Sequence, residues 1–303
     1  MDKNDVFDVV IVGGSYAGLS AAMSLGRSLR KVLVIDSGNP CNKQTPHSHN
    51  FLSRDGATPC EITDLSREQV LKYPTVSFRT GLVTDVIPNS EIFTVITQDS
   101  TQVTGRRIIF ATGVTDTIPL TEGFAECWGI SVLHCPYCHG YEVHNKKSGV
   151  LANGDQGFEL AKTISHWTND LTLYTNGTST LTPEQVLLLN KHNIIIIENE
   201  IESLSHENGY IKQLQFKDAA AEDIEALFTQ LPFMQQCTIP EKLGCSLTEK
   251  GFIEVNKCLE SCIPGVYAAG DCLTLFRSVA NAVASGNKVG AMINKSFIEE
   301  EFV

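Results

Sequence analysis

The apolar run Val6 to Val12 breaks at Gly13-Gly14-Ser15-Tyr16-Ala17-Gly18, and an Ala- and Leu-rich stretch reaching about Arg30 follows. This pattern predicts a buried strand, a tight turn and a helix. A second apolar run, Lys31 to Ile35, ends on Asp36 and Ser37-Gly38 and predicts another strand. His, Asn and Pro crowd residues 40–51, which predicts a long ordered loop, and a polar helix is expected over Asp64 to Lys72. Residues 76–111 carry β-branched runs broken at Pro88-Asn89-Ser90 and Asp99-Ser100, which predict a β-meander. Its last run, Ile108 to Ala111, meets Thr112-Gly113.

From about residue 118 the alternation restarts. Strands are expected at Gly149 to Ala152 and Asp170 to Tyr174, with a helix over Gly157 to Trp167 between them. Thr182-Pro183 reads as a helix start, a capping hydroxyl followed by proline at the first helical position. Ile194 to Ile197 predicts a buried strand, and the acidic stretch Lys217 to Gln236 has no clear period. Further strands are expected at Gly251 to Val255 and Gly265 to Gly270, before a small-residue helix from Val279 to about Lys295. Two strand-turn-helix units with alternating elements predict an α/β protein of two doubly wound halves.

Length agrees with that reading, since 303 residues at roughly 150 per domain make two domains. The formal net charge of −12 argues against a nucleic-acid partner or an anionic membrane surface. The longest purely aliphatic run is Ile194 to Ile197, too short to cross a bilayer. The first residues, Met1-Asp2-Lys3-Asn4-Asp5, are polar and acidic, and no secretory leader is expected. A cytoplasmic location follows as an expectation. Ten cysteines are too few for a disulfide-built scaffold. In a reducing compartment a closely spaced pair is catalytic or metal-binding more often than structural.

A dinucleotide turn needs glycine to bend, a small residue where backbone meets pyrophosphate, and glycine where helix packs on strand. Here the pattern is Gly13-x-Ser15-x-x-Gly18, with serine at the middle position and Ala17 before the last glycine. Asp36 closes the second strand where a carboxylate accepts from a ribose hydroxyl. Ala111-Thr112-Gly113 and Gly270-Asp271 end two later strands. These three motifs, in this order, resemble the flavoprotein pyridine nucleotide-disulfide oxidoreductases. The resemblance implies two Rossmann-like domains of three-layer ββα type, the second inserted into the first. It places an FAD-binding domain over 1–117 and 237–303 and an NAD(P)H-binding-like domain over 118–236.

His134-Cys135-Pro136-Tyr137-Cys138-His139-Gly140 holds the one close cysteine pair. Cysteines two residues apart can close a small disulfide and exchange it with a substrate dithiol. Cys-x-x-Cys-His is also a c-type haem pattern, which requires export. A zinc site would need a second ligand pair, which Cys258 and Cys262 could supply only at unusual spacing. A thioredoxin-like module does not fit the pair's position along the chain. Redox chemistry is the reading taken. The pair follows the Ala-Thr-Gly segment and precedes the second turn, which resembles the low-molecular-weight thioredoxin reductases. The resemblance implies that Cys138 faces the flavin, that Cys135 attacks the substrate disulfide, and that the enzyme is a homodimer. Thioredoxin reductases carry Asp after the second cysteine, whereas His139 stands here, as in the gliotoxin- and holomycin-type dithiol oxidases. Histidine can perform the same proton transfer. His134 is equally readable as a packed residue.

The second turn reads Ala152-Asn153-Gly154-Asp155-Gln156-Gly157, with alanine for the first glycine. Gly154 and Gly157 are the candidate NAD(P)H contacts. Where thioredoxin reductases carry His-Arg-Arg for the 2′-phosphate of NADPH, this chain has Thr175-Asn176-Gly177, so a strong preference for NADPH is not expected. By resemblance, Gln44 and Asn50 contact FAD, and Arg277-Ser278-Val279 lies near the flavin ring, where a helix N-terminus would stabilise negative charge. His47 and His49 read first as loop polarity and second as aids to thiol chemistry. Cys41, Cys60, Cys127, Cys237, Cys245 and Cys272 are expected to be buried apolar residues. The expected function is electron transfer from NAD(P)H through FAD and Cys135–Cys138 to a protein (thioredoxin-like) or small-molecule disulfide. Two alternatives stay open: a dithiol oxidase with dioxygen as acceptor, and a flavoprotein with another reductant or a sensor role.

Overall fold

The computed structural model describes residues 6–303, so the expectation for Met1 to Asp5 lies outside the described residues. The described residues form two compact units: residues 6–43, 51–115 and 233–303 make the first, and residues 44–50 and 116–232 the second.

The first unit begins with β1 (Val6–Val12), α1 (Tyr16–Arg27) and β2 (Val32–Asp36). Next come α2 (Pro59–Val70), β3 (Val76–Thr80), β4 (Val83–Asn89), β5 (Ile92–Thr97), β6 (Gln102–Phe110) and β7 (Val114–Asp116). β3 pairs parallel with β2, so it joins the main sheet and the meander contains only β4, β5 and β6. β6 serves both parts. Its first half pairs antiparallel with β5, and Ile108 to Phe110 accept a parallel partner from the C-terminal segment.

In the second unit the chain adds α3 (Phe124–Cys127), β8 (Val132–Leu133), α4 (Pro136–His139), β9 (Ser148–Leu151), α5 (Gly154–Ile164) and β10 (Leu171–Tyr174). Then follow α6 (Pro183–Lys191), β11 (Ile195–Ile197), β12 (Ile201–Glu207), β13 (Tyr210–Phe216), β14 (Glu222–Asp223) and β15 (Ala226–Phe228). The parallel sheet runs β11-β10-β9-β15-β8, and β12-β13-β14 form an antiparallel sheet. β11 is an edge strand with Ile195 60% exposed, so the buried strand expected there is corrected: an aliphatic run marks a strand without fixing how many neighbours it has. Thr182 caps α6 as expected, and Gln185 completes a capping box.

On its return the chain forms β16 (Phe233–Gln235), α7 (Ile239–Lys242), β17 (Val266–Ala268) and α8 (Val279–Glu301). β16 pairs with β7. The strand expected over Gly251 to Val255 is only an isolated bridge, Leu247 to Ile253.

Strand alternation sorts the first core. Val9 and Ile11 of β1 face Leu19, Ala22 and Leu25 of α1 and Val289 and Ile293 of α8. Val10 and Val12 face Val86, Phe93 and Val95 of the meander. Helices, parallel sheet and meander are the three layers of a Rossmann-like ββα fold. The second unit repeats the plan, with Val150 and Leu173 packed on Leu160 and Ile164 of α5, and Val132 and Leu227 packed with Leu204 and Leu214. Among the described residues no helix is long and apolar enough to cross a membrane.

Candidate active site

The first turn is built by close approach. Gly13 has φ +103°, and a Cβ there would overlap the Ala111 carbonyl, whose carbon lies 2.8 Å away. A Cβ on Gly18 would overlap the Gly13 carbonyl oxygen. Ser15 caps α1 without a side-chain hydrogen bond, so the first amides of α1 are left for another acceptor. Asp36 has a task that its place in the sequence does not announce: Oδ1 accepts from Gly14 N at 2.8 Å and Oδ2 from Gly38 N at 3.1 Å. A carboxylate has further lone pairs, so a ribose hydroxyl can still be accepted.

Around this turn, Thr112 Oγ1 is buried without a hydrogen-bond partner in the protein, the state of a hydroxyl awaiting a polar ligand. Ala111 and Gly113 flank it. Gly270 has φ +88°, and its N–H donates to Ser285 Oγ at 2.9 Å. Asp271 Oδ2 lies 3.8 Å from Arg277 Nε, both side chains mostly buried. Ser278 caps α8, accepting from Asn281 N at 3.1 Å, with Val279 as the first helical residue. A pyrophosphate fits the first amides of α1, and a polar group of the same ligand fits Thr112 Oγ1. Gln44 and Asn50 belong instead to segment 44–50, which clusters with the second unit.

In the second unit Gly157 packs α5 on β9, and a Cβ at this position would lie 2.9 Å from Ala152 O. Ala152 is absent from the positive-φ residues, so alanine is accommodated. The turn is tied down by Asn153, whose Oδ1 accepts from Gly154 N and Thr180 N, each at 2.8 Å, while Nδ2 donates to Thr178 O. Thr175 Oγ1 donates to Gly177 O, and Asn176 Oδ1 accepts from Ile201 N. The strand-turn-helix frame for a dinucleotide is present, with no cation at 175–177 for a 2′-phosphate.

Cys135 and Cys138 are joined in a disulfide, with their Cα atoms 5.3 Å apart. Cys135 is the N-cap of α4, and Pro136 opens the single turn that brings Cys138 back to it. Gly140 N donates to Pro136 O at 2.6 Å, and a Cβ on Gly140 would lie 2.8 Å from Trp167 Nε1. Tyr137, between the cysteines, is 62% exposed and stands edge-on to Trp167. Burial, and secondarily the charge of His49, push the His139 imidazole down to about 4. His134 packs beside Trp128, its ring centroid 6.0 Å away. His49 Nδ1 meets Glu142 Oε1 at 3.3 Å. Glu142 was not singled out by sequence, although it lies only three residues after His139.

Of the remaining cysteines, Cys127, Cys245 and Cys272 are buried and Cys237 is half-buried. Cys41 and Cys60 are exposed, against the expectation, because both sit in polar stretches that the core never covers.

A pyridine nucleotide-disulphide oxidoreductase family model matches residues 7–286, nearly the whole chain. The chain belongs to this family. Among family relatives, thioredoxin reductase tcpT of Claviceps purpurea is 29% identical over 99% of this chain and 97% of its own length. An oxidoreductase structure from Agrobacterium tumefaciens aligns with TM-score 0.91 and 35% identity, covering 97% of this chain and 99% of that one. The structure of HlmI aligns with TM-score 0.94 and 29% identity, covering 100% and 96%. The chain is therefore an FAD-dependent disulfide oxidoreductase of thioredoxin reductase-like fold, a family that uses FAD and NAD(P)H.

Proposed function

We propose that Cys135–Cys138 exchanges electrons with a protein (thioredoxin-like) or small-molecule disulfide, with NAD(P)H as the reductant. The observation that carries this reading is the closed Cys135–Cys138 disulfide set beside a half-buried imidazole, His139. FAD, when bound, supplies a two-electron carrier between pyridine nucleotide and disulfide. In this reading residues 1–117 and 237–303 form the FAD domain. Gly13, Ser15, Ala17 and Gly18 hold the pyrophosphate with the first amides of α1, and Asp36 serves the ribose. Ala111, Thr112, Gly113, Gly270, Asp271, Arg277, Ser278 and Val279 line the rest, and Gln44 and Asn50 are assigned to FAD by the family resemblance alone. Residues 118–236 form the inserted domain, where Gly154 and Gly157 serve the nucleotide.

With the pair reduced, the Cys135 thiolate attacks one substrate sulfur and expels the other as a thiolate. The Cys138 thiolate then attacks Cys135 Sγ, releasing the second substrate thiolate and closing the disulfide. His139 delivers a proton to a leaving sulfur, and a second comes from solvent.

A second reading reverses the flow, and one observation favours it. Beside the closed disulfide His139 is neutral at physiological pH, the state that accepts a proton from an incoming substrate thiol. Substrate dithiol and dioxygen would then give substrate disulfide and hydrogen peroxide.

Anaerobic titration of the flavin absorbance with NADPH, NADH and dithiothreitol separates the two. Bleaching by both nucleotides at rates within about tenfold of each other is expected, since no cation at 175–177 grips a 2′-phosphate. Bleaching by dithiothreitol and by neither nucleotide overturns the reductase direction. The same preparation tests homodimer formation by sedimentation, and a cytoplasmic location is proposed with it.

A further inference from the structure

Segment 44–50 has no regular secondary structure, yet it is held firmly within the second unit. Gln44 Nε2 donates to Trp128 O at 3.1 Å, and His49 Nδ1 faces Glu142 Oε1 at 3.3 Å. The His49 ring stands edge-on to His139, with centroids 6.2 Å apart and planes at 88°. His47 lies beside His49, with ring centroids 6.3 Å apart. A carboxylate and two imidazoles thus stand in a row that ends on the residue after Cys138.

Thiol exchange needs a route for the proton of each thiol that becomes a thiolate. A proton taken by His139 makes an imidazolium in a half-buried place, where desolvation disfavours charge, and it must leave before the next thiol can be served. A second imidazole whose Nδ1 faces a carboxylate is held in place by it, and its charged form is favoured there. One water can bridge imidazole nitrogens at this ring separation.

We propose that Glu142 and His49 are positioning residues that take up and hold the proton His139 exchanges with the thiols, in whichever direction the pair runs. The inference rests on the reading of His139 as the proton-transfer group of the pair. In the oxidising direction, substrate R–SH gives its proton to His139, and the thiolate attacks Cys135 Sγ. The Cys135–Cys138 bond breaks, with Cys138 leaving as a thiolate. The proton passes from His139 to His49, where the Glu142 carboxylate balances its charge. Once there, that charge opposes a second proton on His139, in keeping with the downward push that His49 exerts on it. Among the described contacts, His49 is a charged group that bears on His139, and Glu142 and the His47 ring face His49.

The test compares FAD-loaded wild type with Glu142→Gln, Glu142→Asp and His49→Gln. Dithiothreitol serves as the probe, and opening of the Cys135–Cys138 disulfide is followed anaerobically by quench and alkylation. In Glu142→Gln and His49→Gln the saturating rate is expected to fall about tenfold, with half-saturation within about twofold. Glu142→Asp restores most of the rate. By NMR, the His139 imidazole titrates higher than in wild type in His49→Gln, which removes the opposing charge, and lower in Glu142→Gln, which removes the balancing carboxylate, opposite shifts that a purely structural role would not produce. Wild-type rates with an unmoved His139 titration overturn the proposal, as does a change in half-saturation alone. If Glu142→Gln does not fold, His49→Gln decides by the same two readouts. Failure of Cys138→Ser to form a mixed disulfide when its Cys135 thiolate is offered an aromatic disulfide such as dithiobis(nitrobenzoate), with release of the aromatic thiolate, would instead overturn the underlying reading of the pair.

Discussion

Gly18→Ala is the substitution whose cost can be worked most directly from the geometry. Gly18 lies in the first turns of α1, and the added Cβ would overlap the Gly13 carbonyl oxygen, with the Gly13 carbon at 3.0 Å and Ile11 Cγ2 at 3.4 Å. The obstacle is backbone, so no side chain can rotate away. Relief requires α1 to move off β1 by about 1 Å or more, and a dense core resists that. The opposite face of α1 is equally close to α8. A Cβ on Gly286 would overlap the Ala17 carbonyl, and one on Gly290 would lie 2.9 Å from Ala21 O. α8 cannot retreat freely, because Arg30 Nη1 meets Glu301 Oε1 at 2.6 Å and the Arg30 guanidinium sits 4.8 Å from the Phe297 ring.

Overpacking at such a site costs about 3 kcal/mol, the upper end of the usual range, and lowers Tm by about 6–12 °C at 2–4 °C per kcal/mol. The displaced amides of α1 also lose their aim at a pyrophosphate, so FAD affinity should fall about 100-fold if a similar energy is lost there. Thermal unfolding by near-UV circular dichroism and FAD retained per chain after gel filtration measure the two effects. Gly157→Ala is the internal comparison. Its Cβ approaches Ala152 O at 2.9 Å rather than overlapping it, so its effect should be smaller. A Gly18→Ala protein that keeps one FAD per chain and a Tm within about 2 °C of wild type would refute the reasoning.

Cys138→Ser should abolish multiple turnover with dithiothreitol or a disulfide, while anaerobic reduction of the flavin by NAD(P)H, read by absorbance, persists. His139 carries a pH signature in stability. Its imidazole titrates near 4 in the fold against 6.5 unfolded, so the unfolded chain binds more protons between those values. The fold therefore loses stability as pH drops from about 6.5 to about 4, by on the order of 3 kcal/mol from this group. His139→Gln should flatten that part of a denaturant-midpoint-versus-pH curve, and an unchanged slope would contradict the burial argument. Thr182→Ala removes the side chain that accepts from Gln185 N at 3.2 Å and should cost about 1 kcal/mol, read in urea unfolding.

What the residues determine by themselves is short in range. Gly13 to Gly18 and Asn153 to Gly157 announce turns because strand-to-helix reversals accept few residue types, and Cys-x-x-Cys announces a disulfide because one helical turn spans it. The start of α2 was legible too, since Thr58-Pro59 with Glu61 repeats the Thr182-Pro183 signature with Gln185, and the helix begins there rather than near Asp64. The tertiary structure decided the rest. β3 joins the parallel sheet because Val76 to Thr80 find partners on Val32 to Asp36, a choice that no local pattern contains. Ile195 is exposed because β11 has a neighbour on one side only. Asp36 spends both oxygens on backbone amides because the turn folds back over it. The carboxylate-imidazole row beside the disulfide exists only because segment 44–50 packs with α4 in one unit. Sequence periodicity reports which face of an element is buried, whereas hydrogen bonds and charges between distant segments depend on where the chain returns.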